Sequence, residues 1–162
     1  MNELLEDVLY GPAQVLMGSG LTDDALLAAT REELEGREYR VVRDWMILDV
    51  MVSERDEKLI HARELQPVTL FAGRVLYDSR GVRQGTAMLS GFMRHVEDCF
   101  FEAEEMVYVL GGRGARKHVS MPALTELSRM CRLLRKGLSQ HESWLRLDRD
   151  ITGGQLPPVS DP

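Results

Sequence analysis

Residues 99–119 read CFFEAEEMVYVLGGRGARKHV, and the fold turns on how this stretch is understood. Met106, Val107, Tyr108, Val109 and Leu110 are strand formers with no polar interruption, the pattern of a strand buried on both faces. They are expected to form the central strand of a sheet. Upstream lies an acidic knot of Glu102, Glu104 and Glu105, and downstream three glycines precede a basic run. Glycine reaches backbone angles that other residues avoid, so Gly111-Gly112-Arg113-Gly114 is expected to turn the chain and present Arg113, Arg116, Lys117 and His118 as a basic loop.

Working outward, Tyr39 to Val52 is rich in aromatic and β-branched residues, which predicts one bent strand or two short ones around Arg43-Asp44. Ser53 to Glu64 is charged and predicts a short helix or ordered loop. Extended structure restarts after Pro67 and runs to Tyr77, and Asp78-Ser79-Arg80-Gly81 has the composition of a turn. Thr86 to Val96 predicts a further strand with Gly91 at a bulge, and Glu97-Asp98 turns the chain toward Cys99.

The two ends are helical by periodicity. Leu4, Leu5, Val8 and Leu9 share one face before Gly11-Pro12 interrupts them, and Gly18-Ser19-Gly20 is expected to be a flexible joint. Thr22 is an N-cap candidate, with Asp23 and Asp24 in the first turn and Gly36 as terminator. Ser120 and Pro122 open the clearest helix, with Leu124, Leu127, Met130, Cys131, Leu134 and Leu138 on one stripe. Trp144, Leu145 and Leu147 predict a second helical segment. The chain therefore divides into an N-terminal helical segment (1–37), a β-rich core (38–120), a C-terminal helical segment (121–150) and a loose tail (151–162). The expected class is α+β, with a mainly antiparallel sheet or small barrel-like core flanked by N-terminal helices and a long C-terminal helix.

Three pieces in fixed order carry a resemblance: Arg43-Asp44-Trp45 with Asp49-Val50, then Asp78-Ser79-Arg80-Gly81, then Cys99-Phe100-Phe101-Glu102 leading to Val107–Leu110 and Arg116-Lys117. Over residues 39–120 the chain resembles a family of small bacterial and prophage-associated proteins, a domain of unknown function. The resemblance implies one compact β-rich domain and names no ligand.

Composition narrows the function. The 162 residues include 26 acidic and 20 basic side chains for a net charge of −6, which argues against general coating of nucleic acid. No apolar run approaches membrane-spanning length, and the acids among the first leucines (Glu3, Glu6, Asp7) do not resemble an export signal, so the expected compartment is the cytoplasm. His61, His95, His118 and His141 are scattered, and Cys99 and Cys131 lack metal-ligand spacing, so neither metal nor cofactor is expected. Cys99 is read as a packed thiol rather than a nucleophile, and the glycines lack the GK[ST] ending of a phosphate loop. No catalytic set assembles, and a non-enzymatic protein is expected.

Two charge clusters remain. Glu97, Asp98, Glu102, Glu104 and Glu105 are the candidate contacts for a protein partner, which favours an interaction or regulatory protein, such as a mobile-element or phage-borne accessory factor acting on a host protein. Arg113, Arg116, Lys117 and His118 are the candidate contacts of the alternative, local binding of nucleic acid by a small β-rich module. The apolar helical stripes also predict either intramolecular packing on the sheet or a homodimer through helices.

Overall fold

The computed structural model describes residues 3–81 and 84–135. In chain order these form α1 (Glu3–Tyr10), β1 (Gln14–Met17), α2 (Asp23–Glu33), β2 (Tyr39–Met51), α3 (Glu54–Ala62), β3 (Val68–Asp78), β4 (Met88–Leu89), β5 (Met93–Glu97), β6 (Phe100–Ala103), β7 (Val107–Leu110), β8 (Arg113–Ser120) and α4 (Met121–Arg135). The expected class holds: this is an α+β fold around a curled half-barrel sheet, closed off by a C-terminal helix. The expectations for Leu138, for Trp144, Leu145 and Leu147, and for the tail fall outside the described residues.

The predicted central strand is central. β7 pairs with β6 on one side and with β2 on the other, and all four of its residues are buried. Val107 and Val109 pack outward under α2 with Leu26, Leu34, Tyr39 and Val41, while Tyr108 and Leu110 point into the half-barrel with Val42, Ile47, Leu70 and Phe101. A strand without polar residues is what two covered faces require. The upstream part of the opening stretch is a separate strand. Cys99 sits in a turn, β6 alternates Phe100 and Glu102 outward with Phe101 and Ala103 inward, and the chain reverses at Glu104-Glu105.

The glycines do not turn the chain as expected. β7 lies parallel to β2 with Val42 beside Leu110, and β8 continues parallel to the same edge with Met46 beside Ala115. The sequence offset between partners grows from 68 to 69, so Gly111-Gly112 adds one residue to an otherwise continuous strand. Gly112 takes φ +68, Gly111 N–H bonds Val42 C=O at 2.9 Å, and the Trp45 indole donates to Gly111 C=O at 3.2 Å. Gly114 lies flat against that indole. Local composition reads these glycines as a turn; the long ladder offered by β2 makes a bulge of them instead.

β2 is the single bent strand allowed for. Val42 and Trp45 face the same interior, which strict alternation forbids, and Asp44 at φ 53 opposite Gly73 supplies the break. β3 pairs antiparallel along β2, and Gln66, two residues before it, bridges to Met93 of β5, tying the β3 and β5 sides of the curl together. The 86–96 segment is two strands rather than one, because β4 pairs with β3 while β5 pairs with β6. Gly18 to Gly20 is not a loose joint: Gly18 N–H and Ser19 N–H bond to Gly112 and Leu110 carbonyls at 2.8 Å, and β1 pairs antiparallel with β8.

The caps at Thr22 and Ser53 accept from Ala25 and Asp56 amides, and Ser120 from Ala123. α1 and α4 bury Leu5, Val8, Leu127, Met130 and Cys131 on the outer face over Leu48, Val50 and Val119. The apolar stripe of α4 is thus covered within the chain over its described length. Burial pushes the Cys131 thiol up to about 12, so it stays protonated at neutral pH.

A candidate interaction groove

The outer face of the sheet is covered unevenly. α2 shields β2 and β7, α1 and α4 shield the far half of β2 and β8, and among the described residues no helix covers the outward side of the β5–β6 hairpin. Along it runs a groove of about 440 Å³ lined by Glu33, Leu34 and Arg37 from the end of α2 and by His95, Glu97, Asp98, Phe100, Glu102 and Val107. Glu102 meets Arg37 Nη2 at 3.5 Å and His95 Nδ1 at 3.3 Å. Glu33, Glu97 and Asp98 have no ion-pair partner among the described residues. The floor is apolar and the rim is acidic.

Of the five acidic candidates, the structure brings Glu97, Asp98 and Glu102 together here. Glu104 pairs with Arg63 and faces a different groove, about 550 Å³, between α4 and residues 89–92. Glu105 turns back onto the chain: its carboxylate accepts from Gly91 N–H at 3.1 Å and from the Tyr108 hydroxyl at 2.8 Å. Behind it lies a closed polar set on the inner face, where Arg40 Nε donates to Asp78 and Arg40 Nη1 to the Tyr108 hydroxyl at 2.7 Å. Burial, and then the Glu105 carboxylate, raise the Tyr108 phenol above its ordinary range, so it remains a neutral donor. Each group in this set has partners, which suits a fold-holding role.

The basic candidates form no loop. They alternate across the two faces of β8, and no ion pair joins them to the acidic cluster among the described residues. Arg116 makes a two-pronged pair with Asp49, both bonds 2.8 Å. Lys117 Nζ caps α1 by donating to the Asp7 and Val8 carbonyls, and Arg113 and His118 are exposed. The bond from Arg116, opposed by partial burial, lowers the Asp49 carboxyl. A carboxylate lowered in the fold stabilises it above the ordinary carboxylate range, and that stabilisation is lost as pH falls through the lowered value. Asp49→Asn is therefore expected to cost about 1 kcal/mol at pH 7, with the gap to the parent protein narrowing in acid. Urea midpoints at neutral and acidic pH check this; an equal gap at both refutes it.

Sequence reading missed Glu33, Leu34, Arg37, His95 and Phe100. The alternation of residues 100–103 places Phe100 and Glu102 on one face, but the approach of α2 to that face has no local signal.

The architecture defines a small α+β protein with a curled mixed sheet, helices on its convex side and an acidic groove at one margin. The family model described as a domain of unknown function (DUF6957) matches residues 17–126, and the chain belongs to that family. The match takes in α2 and part of β1 and α4 as well as the β-rich core. No curated protein and no solved structure matches. Among the described residues no helix is long and apolar enough to cross a membrane.

Proposed function

We propose that the protein is a non-enzymatic interaction protein that binds a basic, partly apolar segment of a protein partner in the groove between α2 and the β5–β6 hairpin. The observation that carries this reading is the convergence of Glu33, Glu97, Asp98 and Glu102 around a floor of Leu34, Phe100 and Val107. Acidic rims raise association rate and select for basic partners, while an apolar floor supplies the contact area that holds them. Arg37 and His95 compensate Glu102 and leave the other three acids for the partner. The resemblance to prophage-associated sequences suggests the setting, a mobile-element accessory factor that modulates a host protein in the cytoplasm.

The test uses a labelled peptide of alternating arginine and leucine, followed by fluorescence anisotropy at several salt concentrations. Glu33→Lys, Glu97→Lys and Asp98→Asn together are expected to weaken binding at least ~10-fold and to flatten its salt dependence, with the fold unchanged by circular dichroism, because these charges are exposed and Asn tolerates the positive φ at position 98. Unaltered affinity in the folded triple variant overturns the reading. The nucleic-acid alternative is weighed in the same assay with a labelled duplex and the Arg113→Ala/His118→Ala protein. A duplex whose affinity depends on those two residues favours it.

A further inference from the structure

Two edge strands of the sheet, β1 and β5, are built differently. β5 has a register shift between Met93 and His95 and carries Arg94, His95 and Glu97, the charges and irregularity that keep an open strand from pairing. β1 has neither. Among the described residues it pairs with β8 on one side only, its register is regular, and its four residues are Gln14, Val15, Leu16 and Met17. Leu16 packs inward against the half-barrel interior, while Val15 is 51% and Met17 69% exposed. Tyr10, at 65%, and Leu21, at 45%, flank the strand and are exposed too. These side chains lie within Val8 to Thr22, fifteen residues without Asp, Glu, Lys or Arg and the longest such run in a chain of net charge −6.

We infer that β1 is a self-association edge, pairing antiparallel with β1 of a second copy so that one sheet runs through a twofold dimer. Two copies of an acidic protein are complementary where neither brings charge, and this stretch is the surface on which they meet without repulsion. Antiparallel pairing of one edge with itself satisfies the free N–H and C=O groups on both copies, and its twofold symmetry closes the assembly instead of propagating it. The pairing buries Val15 and Met17, which otherwise stand in water. Each copy keeps its own groove between α2 and the β5–β6 hairpin, so the dimer carries two. That last consequence rests on the groove reading above, and it makes the dimer bivalent toward a partner with two basic segments.

Light scattering and sedimentation equilibrium of the full 162-residue chain test the edge without any peptide. The expected mass is twice 18.4 kDa, falling to the monomer mass in Val15→Lys/Met17→Lys. Hydrogen exchange of the unsubstituted chain supplies a second reading that does not depend on the variant's folding. Amides of residues 14–17 that face the open edge are expected to slow as concentration rises. A monomer mass at every concentration, a folded double variant that stays dimeric, or a doubled mass with unprotected 14–17 amides overturns the inference. A dimer whose grooves bind no basic peptide leaves the edge standing and removes only the groove reading.

Discussion

Asp78→Ala is expected to be among the most damaging single substitutions in the chain, lowering stability by about 3–5 kcal/mol, the scale for removing one partner of a buried ion pair. Arg40 is 8% exposed and Asp78 6%, so water cannot replace the lost carboxylate. Asp78 also accepts from Arg80 N–H at 2.6 Å and so pins the turn that follows β3. Against a usual total of roughly 5–15 kcal/mol, that loss leaves a marginal protein. Equilibrium urea unfolding measures it, and a loss below about 1 kcal/mol would show that the pair is solvated. Replacing both members by apolar residues is expected to cost less than removing Asp78 alone, because the penalty comes from the stranded guanidinium. Tyr108→Phe in the same set removes the hydroxyl that links Arg40 to Glu105 and leaves the ring packed edge-on against Phe101 at 6.4 Å. The contrast between the two variants separates the buried ion pair from the hydrogen bonds of the hydroxyl.

Gly114→Val is expected to do comparable harm by a different route. A Cβ at this position falls inside the Trp45 indole, a side chain only 2% exposed, so the ring must move or β8 must leave β2. Overpacking of this kind costs typically 1–3 kcal/mol when neighbours give way, and the top of that range or beyond is expected here because the obstacle is a rigid bicyclic ring. Displacing the indole also breaks its bond to Gly111 C=O, so the bulge joining β7 and β8 loses its anchor. In a Trp144→Phe background, Trp45 emission is expected to shift to the red along with the loss in urea midpoint. Gly20→Ala is the matched control: nothing among the described residues lies within 4 Å of the added methyl, and stability should change little. Native emission from Gly114→Val would refute the close approach.

Residues whose environment is written in their neighbours were legible without coordinates. Met106 to Leu110 announces a doubly covered strand because every second residue on both faces is apolar, and Ser120 with Pro122 announces a helix start because hydroxyl capping and a fixed φ are local effects. The turn at 78–81 and the bend at Asp44 were readable for the same reason. Pairing across long separations was not. Gly111-Gly112 has the composition of a turn, and only the parallel edge of β2, some seventy residues earlier, extends it into a strand; that extension distributes Arg116 to Asp49 and Lys117 to the end of α1. The five acids between 97 and 105 likewise read as one cluster, because charge density along a chain is visible and strand pleat combined with a hairpin reversal is not. Tertiary packing alone decided that Glu97, Asp98 and Glu102 line a groove, that Glu104 goes to Arg63, and that Glu105 folds inward to Tyr108. Short-range sterics and capping act within a few residues, whereas a groove is made by segments whose meeting depends on the whole core.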